Sequence, residues 1–316
     1  ISIMSLKKPK FWDYKRPNIY SYILWPLTII IQIINLIRAR FKKQKKFNIR
    51  SVCVGNIYIG GTGKTSLSIK INEILSKRKI RSCFIKKSYF KQIDEQKLLG
   101  SRGKLFTAEK RNDALIEAEK DNYQIAIFDD GLQDYSIKYD VSLVCFNNLN
   151  WIGNGMTIPS GPLRESLNNL RNYNHVFLNG NSENLSNITS TILNINPSIN
   201  IHEGKYIPLN LKDFNLKDNY LAFSGIGNHK TFISMIRDYG MNVVKDIEFS
   251  DHYNFKNKDI DKILDLSKKL NCKIITTEKD YFRLESNNIN EIKFIKTELH
   301  IVDEDKLINA IVQSNE

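Results

Sequence analysis

Four glycines, a lysine and two threonines crowd into the stretch Gly55-Asn56-Ile57-Tyr58-Ile59-Gly60-Gly61-Thr62-Gly63-Lys64-Thr65. Glycines let successive backbone N–H groups turn inward around phosphate oxygens, and the N-terminus of the helix that follows would add partial positive charge at the same place. Gly60, Gly61, Thr62 and Gly63 would then cradle the phosphates of a nucleoside triphosphate, with Lys64 reaching the outer ones and the Thr65 hydroxyl available to Mg²⁺. The general pattern G-x-x-x-x-G-K-[ST] wants a glycine five residues before Gly63, where this chain has Tyr58, so the loop is a variant. A plain strand-to-helix turn is the alternative reading. About 65 residues further on, the apolar run Ile125-Ala126-Ile127-Phe128 ends in Asp129-Asp130, two hard oxygen donors suited to the same cation. An acidic surface turn would look the same in isolation.

These side chains need strands that end together. Short β-like runs at Ser51–Val54, Ser82–Ile85, Ile125–Phe128, Val141–Phe146 and His175–Leu178 alternate with helical patterns at Thr65–Lys77, Arg111–Asp121 and Pro162–Leu170. That alternation predicts an α/β fold of the P-loop type, a parallel sheet with helices on both faces. The stretch 179–200 is rich in Asn and Ser and reads as a surface excursion. A second alternation follows, with strands at Tyr220–Phe223, Val243–Ile247, Lys273–Thr276 and Lys293–Ile295 and helices at Thr231–Tyr239 and Asn257–Leu270. The expected organisation is a membrane-associated segment at 1–47, a P-loop domain at 48–205 and a smaller α/β lobe at 206–316.

The 316 residues carry a formal charge of +13, and its distribution is uneven. Residues 1–50 hold twelve Lys and Arg against the single acid Asp13, so the remainder is nearly neutral. A basic arm beside a neutral body points to an anionic surface met by one end of the molecule, not to a nucleic-acid groove across the fold. Within the arm, Ile19–Ile37 has no charge and is mostly Ile, Leu, Tyr and Trp, long enough as a helix to match a bilayer core. Pro26 interrupts it, and Thr28, Gln32 and Asn35 dilute it. Basic clusters flank both ends, which favours a helix lying in the interface over a span. A cleavable signal peptide is not expected, because Arg38–Lys46 follows the apolar run in place of small residues. The chain starts on Ile1, so Met4 or an unusual initiation codon is the expected start. Cys53, Cys83, Cys145 and Cys272 are dispersed and read as buried thiols of a reducing compartment.

Six blocks in order, VGNIYIGGTGKTS, DDGLQ, IPSGPLRE, SGIGN, SDHYNF and TTEKD, resemble the tetraacyldisaccharide 4′-kinases of lipid A biosynthesis. The resemblance covers nearly the whole chain. It implies a kinase at the cytoplasmic face of a bacterial inner membrane that moves the γ-phosphate of ATP, with Mg²⁺, to the 4′-hydroxyl of an acylated glucosamine disaccharide 1-phosphate. It also implies roles: Lys64 on phosphate, Thr65, Asp129 and Asp130 at the metal, and Asp94 paired with His252 as base for the sugar hydroxyl. Arg164 would face a phosphate, and Gln133 and Glu165 the nucleotide or its surroundings. No nucleic acid and no obligate protein partner is expected.

The chain departs from the family pattern in three places. Lys86-Lys87-Ser88-Tyr89 stands where S-R-G-Y-G-G is expected, Asp134 stands where a His usually follows DDGLQ, and Asp94-Glu95 sits in an altered frame, with Ile93 for Gly and Gln96 for Pro. A membrane-targeted regulatory ATPase is the main rival. Its second signature lysine would fall at Ile59, which is not a lysine.

Overall fold

The structure is a computed structural model and describes residues 8–88, 93–180, 185–251, 253–284 and 289–313, with the backbone alone at 93, 94 and 289. In chain order the elements are α1 (Ile19–Phe41), β1 (Arg50–Gly55), α2 (Lys64–Lys77), β2 (Ser82–Lys87), α3 (Ile93–Arg102), β3 (Leu105–Ala108), α4 (Arg111–Lys120), β4 (Ile125–Asp129), β5 (Val141–Asn147), β6 (His175–Asn179), α5 (Leu185–Ile195) and β7 (Asn200–Pro208). Then come β8 (Asn219–Ser224), α6 (His229–Asp238), β9 (Asn242–Glu248), α7 (Asn257–Leu270), β10 (Lys273–Thr277), α8 (Glu278–Tyr281), β11 (Ile292–Ile295), β12 (Thr297–Ile301) and α9 (Glu304–Val312).

Two compact units result. The larger holds Lys8–Asn179, Asn184–Gly204 and Ile301–Glu316, and the smaller centres on Lys205–His300. An eight-stranded sheet runs in the order β12-β7-β6-β5-β1-β4-β2-β3, with parallel pairing at each step from β7 to β3. After β1 the chain skips to β2 and β3, then returns to lay β4 between β1 and β2. That reversal opens a crevice at the carboxyl ends of β1 and β4, the place where such sheets bind ligands. The strands there are buried throughout, which is why their sequences are runs of Val, Ile, Phe and Cys with no alternation. The smaller unit is a four-stranded sheet, β11-β10-β8-β9, parallel at each pairing.

Three sequence expectations are corrected. The stretch 179–200 contains α5, whose Ile188 and Ile192 are buried against the core. Pro162–Leu170 is not a helix; a short 3-10 turn occupies Leu167–Asn172, because the backbone of residues 162–164 is spent on the phosphate loop, Pro162 O accepting from Ile59 N and Arg164 N donating to Ile57 O. Pro26 does not interrupt α1, which runs through it.

α1 begins with a reciprocal cap between Asn18 and Ser21. It meets the rest of its unit through polar residues. Ser21 accepts from Asn154 Nδ2 at 3.0 Å, the Thr28 hydroxyl lies 2.8 Å from that of Ser160, and Gln32 reaches the Thr157 hydroxyl. Positions 21, 28 and 32 share one helix face. Around the rest, Tyr22, Ile23, Trp25, Ile30, Ile33, Leu36 and Ile37 are exposed. The usual arrangement of a helix on a water-soluble domain is inverted.

At the opposite end of the larger sheet from the phosphate loop, His175 and His202 on β6 and β7 are buried, with Nδ1 of one 3.1 Å from Nε2 of the other. Burial, aided by the charge of Lys306, pushes each imidazole down from 6.5 to about 4. Between those values the unfolded chain takes up protons that the folded pair refuses. Stability therefore falls as pH drops from 6.5 towards 4, by about 3 kcal/mol for each ring. Denaturant unfolding at pH 7 and 4.5 should show this loss, and it should shrink in His175→Leu/His202→Leu.

Candidate active site

Asn56 shapes the turn after β1 from within, its amide donating to Tyr58 O at 2.7 Å and to Gly60 O at 3.3 Å. Gly63 closes the turn in the left-handed region at φ 81°, a conformation that costs a glycine little, and caps α2 there. Tyr58, the residue that breaks the general pattern, is buried under this loop and donates its hydroxyl to Asp13 Oδ1 at 3.0 Å, with the Lys8 ammonium over its ring. Burial, with the Asp13 charge beside it, pushes the phenol up, so it stays neutral. The aromatic ring thus replaces the permissive glycine with a strut to the basic arm.

β4 delivers Asp129, which is fully buried. The Thr65 hydroxyl sits 3.3 Å from each of its carboxylate oxygens, and Ser68, one turn along α2, donates to Oδ1 at 3.4 Å. A helix-start hydroxyl and a strand-end carboxylate meeting in this way form an all-oxygen donor set, which suits a hard divalent cation. Asp130 follows at φ 62°, a turn that directs its side chain away from its neighbour's. Arg164 donates to Asp130 Oδ1 at 2.8 Å, and the Lys64 ammonium lies 4.0 Å from Oδ2. Burial would raise this carboxyl, but Lys64, Arg164 and Lys86 outweigh it and hold it below the usual carboxylate range.

Arg164 also donates to Gln133 Oε1 at 3.1 Å, and Gln133 passes its own amide to Glu165 Oε1 at 2.7 Å and to Asn56 O. Asn169 and Tyr173 complete the shell of the Glu165 carboxylate. The arrangement leaves Arg164 and Lys64 on one shared anion, Asp130, ready to exchange it for phosphate oxygens. Loop 154–164 that presents Arg164 is tight: a side chain on Gly161 would lie 2.1 Å from Asn154 Oδ1.

The structure thus brings together Gly60 to Thr65, Asp129, Asp130, Gln133, Arg164 and Glu165. His252 and the side chain of Asp94 lie outside the described residues. Several members escaped the sequence reading. Arg111, at the start of α4, donates to Asp130 O at 2.7 Å and to Asp134 at 3.2 Å, so the residue standing in for the family's histidine serves as an anchor for this guanidinium. Lys86 and Glu95 also belong to the site. A lysine near the carboxyl end of an otherwise buried apolar strand was the available signal for the first. In the smaller unit, Asp280 is fully buried within α8 and accepts from Gly225 N and from the hydroxyl of Thr277, the residue that caps this helix by accepting from Asp280 N.

Comparison with known proteins points to one family. The family described as tetraacyldisaccharide-1-P 4′-kinase matches residues 20–316. The tetraacyldisaccharide 4′-kinase of Pelagibacter ubique (strain HTCC1062) is 57% identical over 313 residues, 99% of each chain. That of Rickettsia canadensis (strain McKiel) is 32% identical over 319 residues, covering 95% of this chain and 94% of the relative. Among solved structures, LpxK from Aquifex aeolicus, crystallised with ATP, shares the fold with a TM-score of 0.63 at 20% identity, over 92% of this chain and 98% of the other.

Proposed function

The chain belongs to the tetraacyldisaccharide-1-P 4′-kinase family, and from that premise we infer that it phosphorylates the 4′-hydroxyl of an acylated glucosamine disaccharide 1-phosphate with ATP, in lipid A biosynthesis. The observation that carries the reading is the meeting of Thr65, Asp129, Lys64 and Asp130 beneath the glycine turn, an arrangement suited to phosphate and a divalent cation.

In the reaction the sugar oxygen forms a bond to the γ-phosphorus, the bond from that phosphorus to the β–γ bridging oxygen breaks, ADP leaves, and the hydroxyl proton goes to a base. The backbone N–H groups of Gly60 to Gly63 line the phosphates. Thr65 and Asp129, with Asp130 beside them, would hold Mg²⁺, which offsets charge on the β- and γ-phosphates. Lys64 and Arg164 leave Asp130 for the transferring group and stabilise the charge that builds there. Gln133 and Glu165 hold Arg164 in aim. The family resemblance assigns the proton to Asp94, with His252 as its partner. Phosphorus NMR of the lipid after incubation with ATP and Mg²⁺ should show a new monoester on the 4′ position; a product phosphorylated elsewhere, or no product, refutes the reading.

We place the acceptor's membrane against α1. The outward apolar surface of this helix, and the Arg38, Arg40, Lys42 and Lys43 cluster at its end, suit a helix lying at a lipid surface with anionic headgroups. Thr28 and Gln32, at mid-helix, are bonded to the 157–160 loop, which supports lying over spanning. The protein should co-sediment with vesicles containing anionic phospholipid, and Ile23→Glu/Ile30→Glu/Ile37→Glu should lower that binding at least tenfold, about 1.4 kcal/mol, while nucleotide binding persists. Resistance of the membrane-bound protein to alkaline carbonate would instead indicate a span.

A further inference from the structure

Lys86 lies near the carboxyl end of β2 and is 1% exposed. An ammonium is tolerated at that depth only against opposite charge and good acceptors. It donates to Asp129 Oδ2 and to Glu95 Oε2, each at 2.6 Å. Asp129 is the carboxylate that already takes the hydroxyls of Thr65 and Ser68. Glu95 belongs to the first turn of α3, and its side chain is 25% exposed.

One lysine therefore joins three elements. β2 and β4 are neighbours in the sheet, Ile85 pairing with Phe128, and need no further tie. α3 is outside the sheet. Its far end is held by Asn72, whose amide donates to Arg102 O at 3.1 Å, and its near end by Lys86 through Glu95. Glu95 directly follows Asp94, to which the kinase reading gives the acceptor's proton. The lysine also falls in the block where the chain departs from the S-R-G-Y-G-G pattern.

We propose that Lys86 is a positioning residue for phosphoryl transfer, fixing the first turn of α3 against the Asp129 carboxylate and so setting the base-bearing turn relative to the phosphate loop. The proposal rests on the kinase reading. A lysine that merely balanced the charge of Asp129 would make Glu95 dispensable. The two cases therefore separate at Glu95.

The test compares full-length wild type, Lys86→Met, Lys86→Arg, Glu95→Gln and Lys86→Met/Glu95→Gln in transfer kinetics and in amide hydrogen exchange of 93–102. Lys86→Met and Glu95→Gln should each lower kcat about ten- to a hundredfold, the range for removed outer-shell partners of a metal site. The KM for ATP should stay near the wild-type value. Exchange in α3 should quicken in both while that in α2 holds, Lys86→Arg should recover part of the rate, and the double variant should be no slower than Lys86→Met. Wild-type rate and exchange in Glu95→Gln would overturn the proposal, and because that variant changes a partly exposed group the test survives if Lys86→Met does not fold. A wild type that never labels the lipid would fell the kinase reading, whereas unaltered α3 exchange in the variants would fell the tie alone.

Discussion

Lys64→Ala lowers phosphoryl transfer about a thousandfold while leaving the melting temperature close to that of the wild type. The ammonium is the first side chain of α2 and shares Asp130 with Arg164. It is placed to gain a stronger partner as negative charge gathers on the transferring group, an interaction made chiefly in the transition state. Its loss should therefore appear mostly in kcat, with a smaller change in the KM for ATP. Stability should barely move, because the 4.0 Å contact to Asp130 is a weak one and Arg164 at 2.8 Å keeps that carboxylate paired. Lys64→Arg should not restore activity, since a planar guanidinium does not fit a turn shaped around a point charge. Steady-state kinetics and a thermal melt on the same preparations check both halves.

Asp129→Asn should cost both activity and stability. The carboxylate is fully buried and gathers Thr65, Ser68 and Lys86. An asparagine keeps the shape but removes the charge, leaving the Lys86 ammonium with Glu95 as its anionic partner. Breaking a buried pair in this way costs about 3–5 kcal/mol. Activity should fall about a hundredfold or more, with a raised requirement for Mg²⁺. Denaturant unfolding reads the first effect and a Mg²⁺ titration of the rate reads the second. Unchanged stability would mean that Lys86 draws little from Asp129.

The contrast between these two residues shows what a sequence carries. Lys64 and Asp129 were legible because Asp129 closes a short apolar run, Lys64 opens the helix after the turn that follows another, and a second acid or glycines mark those turns. The strands that position them, β1, β4 and β5, were legible for the same reason: full burial demands unbroken apolar runs. Lys86 was not, since a lysine in a strand ordinarily marks a solvent face, and only the sheet order that sets β2 beside β4 reveals the carboxylate waiting for it. The outer strands were missed as well. β3, β7 and β12 pair towards the edges of the sheet, carry polar residues such as Thr107, Glu203 and Glu298, and give no apolar run. α5 was hidden by its Asn and Ser content, although Leu185, Ile188, Ile192 and Ile195 keep helical spacing. The placing of Ile301–Glu316 with the larger unit has no local signal at all, because it depends on where a distant strand ends. For α1 the inversion was half visible: the apolar length is in the sequence, but which residues hold it down is decided by the 154–160 loop, over a hundred positions away.

The decisive measurement is a single turnover with enzyme in excess over ATP carrying a radiolabelled γ-phosphate, in the presence of Mg²⁺ and detergent-dispersed tetraacyldisaccharide 1-phosphate. Label should pass to the lipid one for one with ADP formed, and inorganic phosphate should stay at background. Release of the label as inorganic phosphate, with the lipid unlabelled, would contradict the kinase assignment and make the chain a nucleotide-hydrolysing switch instead.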